Sequence, residues 1–244
     1  MIRDDSPRGR LLSRREVLLR LSGSAAWLLA GGLLARRSEA GDRVPACLFR
    51  PEQTEGPYFV DEELHRSDIR SDPTTGEMQA GVPLALTVVL SRVDDRRCVA
   101  VPRAQVHLWH CDAFGIYSDV KDPRFDTRGK KFLRGYQLTD TRGEARFLTI
   151  YPGWYHGRTV HIHLKVRAAD GKRMVEFTSQ MYFEDSLSDR IHAGPPYAAR
   201  GQRTARNHDD RIFRHGGDQL ILEATRTADG YAATFEVGMQ FSQA

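Results

Sequence analysis

Two histidines one residue apart, His161 and His163, lie in a run from Thr159 to Val166 that alternates in character. Val160, Ile162, Leu164 and Val166 interleave with Thr159, His161, His163 and Lys165. Successive side chains of a strand point to opposite faces, so the pattern predicts a strand with both imidazoles on one face and the aliphatic residues on the other. A rise of about 3.3 Å per residue puts the two Cα atoms roughly 6–7 Å apart, close enough for the rings to converge on one metal ion. A His-x-His is also what the polar face of any half-buried strand looks like. Its company carries the stronger signal: Tyr151, Tyr155 and Arg158 stand just before it, and Tyr117 lies on an upstream loop.

Tyr117, in Phe-Gly-Ile-Tyr-Ser, follows the strand that carries Trp109, and Tyr151 opens a Tyr-Pro-Gly-Trp turn at a strand end. Each alone reads as an ordinary aromatic. Together with the histidines they offer two phenolates and two imidazoles. Phenolate is a hard anionic oxygen ligand that suits a hard trivalent ion, and imidazole suits several transition metals. Zinc sites favour Cys, His and carboxylates, and non-haem Fe(II) oxygenases favour two His with one carboxylate. The set therefore points to Fe(III) as the cofactor.

Strands must position these groups. Candidates run over Leu84–Leu90, Ala104–His110, Leu133–Leu138, Ala145–Ile150, Thr159–Val166, Val175–Phe183, Gln219–Thr225 and Tyr231–Val237, rich in β-branched and aromatic residues and bounded by Gly, Pro and Asp. No long 3.6-residue apolar period occurs beyond the N-terminus. The expectation is an all-β chain, a single-domain β-sandwich of about eight strands with long loops walling the site. The two longest, Ser118–Phe132 and Glu184–Arg214, are the candidates for those walls.

The 244 residues carry a net charge of +4, but residues 1–40 hold eight Arg against two Asp and two Glu, which accounts for all of it. Residues 41–244 are balanced, which removes the case for nucleic-acid binding. The basic end reads as an address: Ser13-Arg14-Arg15-Glu16-Val17-Leu18 is a twin-arginine pattern, an apolar run from Val17 to Ala35 follows, and Ser38-Glu39-Ala40 suits cleavage. Residues 1–40 are thus expected to be an export signal and 41–244 the domain, placed in the periplasm, outside the cell or at its envelope. Contact with a membrane is expected only through the signal, if it stays uncleaved. An exported chain permits a disulfide. Cys47 and Cys98 are the expected pair, with Cys111, which has no zinc-ligand spacing, left as a structural thiol.

The chain resembles the intradiol ring-cleavage dioxygenases. The resemblance rests on Thr54-Glu-Gly-Pro-Tyr58, Leu108-Trp-His-Cys-Asp-Ala-Phe-Gly-Ile-Tyr117, Phe132-Leu-Arg-Gly-Tyr-Gln-Leu-Thr-Asp140, Tyr151-Pro-Gly-Trp-Tyr-His-Gly-Arg-Thr-Val-His-Ile-His163 and Ser179-Gln-Met-Tyr-Phe183. It implies Tyr117, Tyr151, His161 and His163 as ligands of Fe(III), Arg158 as the arginine beside the substrate and Gln180 as the pocket glutamine. Tyr151 is preferred over Tyr155 because the family's ligand Tyr is followed by Pro, although the connection from Tyr151 to His161 is shorter than the catechol and protocatechuate enzymes lead one to expect. Tyr58, Trp154 and Tyr155 join Gln180 as candidates for the pocket wall.

The implied reaction takes an aromatic diol and O₂, with Tyr151 released to accept a proton and Arg158 facing the developing anion, to give a cis,cis-muconate-type dicarboxylate. Two rivals remain: a transthyretin-like module that holds metal or phenolics without turnover, and a zinc hydrolase. The sequence leaves open which ring is cleaved and whether the chain forms a homodimer.

Overall fold

The computed structural model describes residues 47–94 and 97–240. The twin-arginine segment lies outside them. The long strand β1 (Pro83–Asp94) organises the first sheet: β2 (Arg97–Ala100) folds back on it, β7 (Glu144–Ile150) pairs antiparallel with it, and β11 (Tyr231–Met239) runs parallel to it with β10 (Thr225–Arg226) beyond. The second sheet has the order β6 (Arg134–Leu138), β3 (Gln105–Trp109), β8 (His161–Asp170), β9 (Arg173–Tyr182). A small hairpin, β4 (Lys121–Asp122) and β5 (Phe125–Asp126), sits in the loop after Tyr117, and one helix, α1 (Asp185–His192), opens the long segment after β9. Among the described residues no helix is long and apolar enough to cross a membrane.

The alternation read in the sequence holds. Leu84, Leu86, Val88 and Leu90 of β1, Ile162, Leu164, Val166 and Ala168 of β8, and Phe235 and Val237 of β11 belong to one buried cluster between the sheets. Burial of such side chains contributes roughly 1.5–3 kcal/mol each. Period-2 alternation then leaves His161, His163 and Lys165 on the outer face of β8.

Two expectations needed correction. Gln219–Thr225 is not one strand: Gly217–Leu220 forms a short 3-10 turn, Ile221 makes a single bridge to Tyr182, and only Thr225 enters a strand, β10. Its apolar residues, Leu220, Ile221 and Leu222, are consecutive rather than alternating, and Gly216, at φ +90°, turns the backbone out of extension. The loop 184–214 contains α1, whose eight residues are too few to show a helical period.

Pairing across the second sheet builds the site's floor. Trp109 lies opposite Arg134 on one side and His163 on the other, and His163 lies opposite Gln180, so four strands place these side chains in one row. His161 pairs with Tyr182 in the next row. The segment 47–60 runs beside β11 at Leu48–Arg50 and covers this face from Thr54 to Phe59. The Cys47–Cys98 disulfide anchors its start, the Gln53 amide donates to the Thr178 carbonyl, and Ser179 Oγ donates to the Pro51 carbonyl. The bridge joins the expected pair, and Cys111 is buried and free.

Candidate active site

His161 Nε2 and His163 Nε2 face each other at 3.1 Å, and both residues are buried. His161 Nδ1 lies 2.7 Å from the Thr159 carbonyl. A carbonyl can only accept, so Nδ1 carries the proton and Nε2 presents a bare lone pair. His163 stacks on Trp109, the ring centroids 4.9 Å apart and the planes 8° from parallel. Its Nδ1 is buried without a partner among the described residues. Burial, first, and then the charge of Arg158 hold the His161 pKa well below the ordinary value, and burial with its neighbour His161 does the same for His163. Both imidazoles are therefore neutral near pH 7.

Two phenols close on the same point. Tyr117 Oη lies 3.4 Å and Tyr155 Oη 3.2 Å from His161 Nε2. Burial pushes Tyr117 well above the usual phenol range and Tyr155 up to about 12, with Arg158 pulling the latter partly back. Arg158 Nη1 stands 3.4 Å from both Tyr155 Oη and His161 Nε2. Burial opposes its charge, but Tyr155 and Asp210 outweigh burial and hold the guanidinium above its ordinary value.

Tyr151 is not part of this group, contrary to the expectation. Its hydroxyl lies 2.7 Å from Ser188 Oγ of α1, its ring packs on Phe183, and the residue is fully buried in the main core. The reason is local. The Tyr151 amide donates to Val82 and its carbonyl accepts from Tyr197 Oη, which ties this turn to the first sheet and the helical segment. The chain then turns at His156-Gly157, with Gly157 at φ +80°, and this returns Tyr155 to the histidines. The sequence signal for Tyr155 was its position nearer the histidine pair.

Trp154 also departs from expectation. Its indole N–H donates to Gly201, Arg200 lies over its ring, and it packs in the core. Gln180 is brought to the site: its amide N–H donates to the Thr54 carbonyl at 2.8 Å, which leaves its oxygen to accept from Arg158 Nη2. Tyr58 stacks on Tyr117 at 4.5 Å and donates to Asp122 at 2.6 Å. His110 donates from Nδ1 to the Cys111 carbonyl and accepts at Nε2 from Thr149 on the other sheet.

Two neutral imidazoles with two phenols, the oxygens of which ionise readily only beside a cation, form a donor set that suits a hard trivalent metal. Among the described residues no group of three His, Cys, Asp or Glu could hold a metal instead, so the donors zinc favours are not assembled.

The chain is similar to several known proteins. The family model described as Dioxygenase matches residues 54–241. The protocatechuate 3,4-dioxygenase beta chain of Burkholderia cepacia is 34% identical over 163 residues, 62% of this chain and 67% of that one. The intradiol ring-cleavage dioxygenase structure from Tetranychus urticae is 31% identical with a TM-score of 0.68, over 80% of this chain and 95% of that one. The dioxygenase domain of a carbohydrate-binding fusion from Streptomyces sp. SirexAA-E is 27% identical with a TM-score of 0.55, over 80% and 99% of the two chains. Its sandwich, the two convergent histidines and the match across most of the domain have one meaning: the chain belongs to the intradiol ring-cleavage dioxygenases.

Proposed function

We propose that the protein cleaves a catechol-type ring with O₂, using non-haem Fe(III) held by Tyr117, Tyr155, His161 and His163. The observation that carries this reading is the convergence of two phenol oxygens on His161 Nε2, which itself faces His163 Nε2. Bound there, Fe(III) supplies a Lewis acid that favours the ionised catechol and opens its ring to O₂. Breaking the bond between the two oxygen-bearing carbons, with both atoms of O₂ retained, gives a cis,cis-muconate-type dicarboxylate.

The chain's own residues do the rest. Tyr155 is the phenol nearest the Arg158 guanidinium, so its phenolate is the one stabilised to accept a proton from an incoming catechol hydroxyl. Arg158 then faces the anion that develops on the ring. Gln180, held by Thr54, keeps Nη2 of Arg158 in place. Tyr58, stacked on Tyr117, keeps water from that side of the site. The twin-arginine pattern at Ser13–Leu18 and the Cys47–Cys98 disulfide both support export to an oxidising compartment.

The test is a visible spectrum with metal analysis, followed by catechol without air and then with O₂. Broad tyrosinate-to-Fe(III) absorption that shifts with catechol, then O₂ uptake and a muconate-type product, is the expected result. A protein that holds zinc and stays colourless after Fe(III) loading, or consumes no O₂ with any catechol, overturns the reading.

A further inference from the structure

Asp210 is buried to 1% exposure, and its two oxygens do different work. Oδ2 accepts from Arg158 Nε at 2.8 Å and from the Thr159 amide at 3.0 Å. Oδ1 accepts from the Ile212 and Phe213 amides, at 2.7 and 3.3 Å. Three residues earlier, Asn207 accepts from the Thr159 hydroxyl at 2.6 Å and donates to the Phe183 carbonyl at 2.9 Å. The segment 207–213 therefore clamps the residues that lead into β8, and of these two side chains only Asp210 also holds Arg158.

A guanidinium is a rigid plane. With Nε directed at Asp210 and Nη2 at Gln180, the direction of Nη1 is determined, and it points to Tyr155 Oη and His161 Nε2. Gln180 cannot impose this alone, because a single contact at Nη2 leaves the plane free to swing about it. A charged acceptor at Nε also meets the need of a largely buried cation for a counter-charge. Resting on the reading of Arg158 given above, we propose that Asp210 is a positioning residue: it sets the plane of the Arg158 guanidinium so that Nη1 faces the reacting ring, and it ties that plane to the start of the strand bearing His161 and His163.

The test is a double-mutant cycle on the iron-loaded protein, with Asp210→Asn, Arg158→Ala and both together, and Asn207→Ala as a control that loosens the clamp without touching Arg158. Ring-cleavage rate, anaerobic catechol dissociation constant and melting temperature are read for each. A displaced catalytic group can cost up to about 100-fold in rate, so D210N is expected to lower kcat about tenfold or more. In the R158A background the same change should cost less than about twofold, because linked residues are non-additive. N207A should lower the melting temperature with little change in kcat. Arg158→Lys keeps the charge but loses the plane, and should fall nearly as far as R158A; a near-normal rate in this variant overturns the proposal even where D210N does not fold.

Equal losses of rate in N207A and D210N, a full D210N effect in the R158A background, or a near-normal rate in R158K each overturn the proposal. Wild-type protein that binds catechol without cleaving it rejects the functional reading alone, and the binding arm of the cycle then decides the role of Asp210. No catechol binding at all removes both.

Discussion

His161 and His163 bring their Nε2 atoms to 3.1 Å of each other, and the Thr159 carbonyl, by accepting the Nδ1–H hydrogen bond of His161, leaves one of those atoms as a bare lone pair. Everything else at the site is disposed around that point, and the two tyrosines of the preceding turn differ in whether they reach it. Tyr155→Phe should weaken and shift the visible band, Tyr117 remaining as a phenolate donor, and lower kcat/KM by more than about 100-fold, beyond the 10–100-fold typical of losing a supporting partner. Tyr151→Phe should keep colour and rate. It removes the bond to Ser188 and leaves that buried hydroxyl unpaired, a cost of about 1 kcal/mol that should lower the melting temperature by roughly 2–4 °C. Spectra and melts of the two variants check this, and a colourless Tyr151→Phe protein would sink the assignment.

Gly56 lies in the covering segment at φ +74°, and a Cβ there would stand 3.2 Å from His163 Cε1. Gly56→Ala therefore carries a backbone penalty of about 1–2 kcal/mol for the left-handed conformation and presses on the His163 ring, a proposed metal ligand. The expected outcome is faster iron loss during dialysis against a chelator, with a lower melting temperature. Iron retention equal to the unaltered protein would show that the segment yields freely.

Burial lowers the pKa of His110 and of His192 to about 4, against about 6.5 in an unfolded chain. Between those values the unfolded state binds more protons, so stability is fully present above pH 6.5 and falls as the pH drops toward 4. The two sites together contribute several kcal/mol, at about 1.4 kcal/mol per pKa unit. Carboxylates such as Asp68 and Asp189, whose pKa is lowered below 3.8, add their loss only at more acid pH. His192→Gln can still donate to the Pro152 carbonyl and should flatten the melting-temperature profile between pH 6.5 and 4. An unchanged slope would refute the assignment.

The Cys47–Cys98 bridge closes a loop across a sequence separation of 51 residues. Loop-closure entropy makes such a bridge worth about 4 kcal/mol. Cys98→Ser should lower the melting temperature accordingly and weaken iron retention, because the freed segment carries Thr54, Gly56 and Tyr58. Thermal melts and iron content with and without a reductant check this; equal melting temperatures would remove the bridge's structural role.

What the sequence determined by itself is what strand periodicity controls. Alternation in 159–166 put the aliphatic residues of β8 in the core and both histidines outside it, because the strand period of two is a local property of the backbone. The residue types near that pair named the donor chemistry, and the ordered motifs named the family. The tertiary structure decided which tyrosine joins the histidines and what holds the arginine. Tyr151 and Tyr155 lie in an irregular turn, where no period says which way a side chain points, and the bonds that settle it come from Val82, Tyr197 and Ser188, far away in the chain. Asp210, 52 residues from Arg158, was equally invisible: its partner is chosen by a loop packing against the mouth of the second sheet, a long-range contact that neither residue's neighbours in sequence encode.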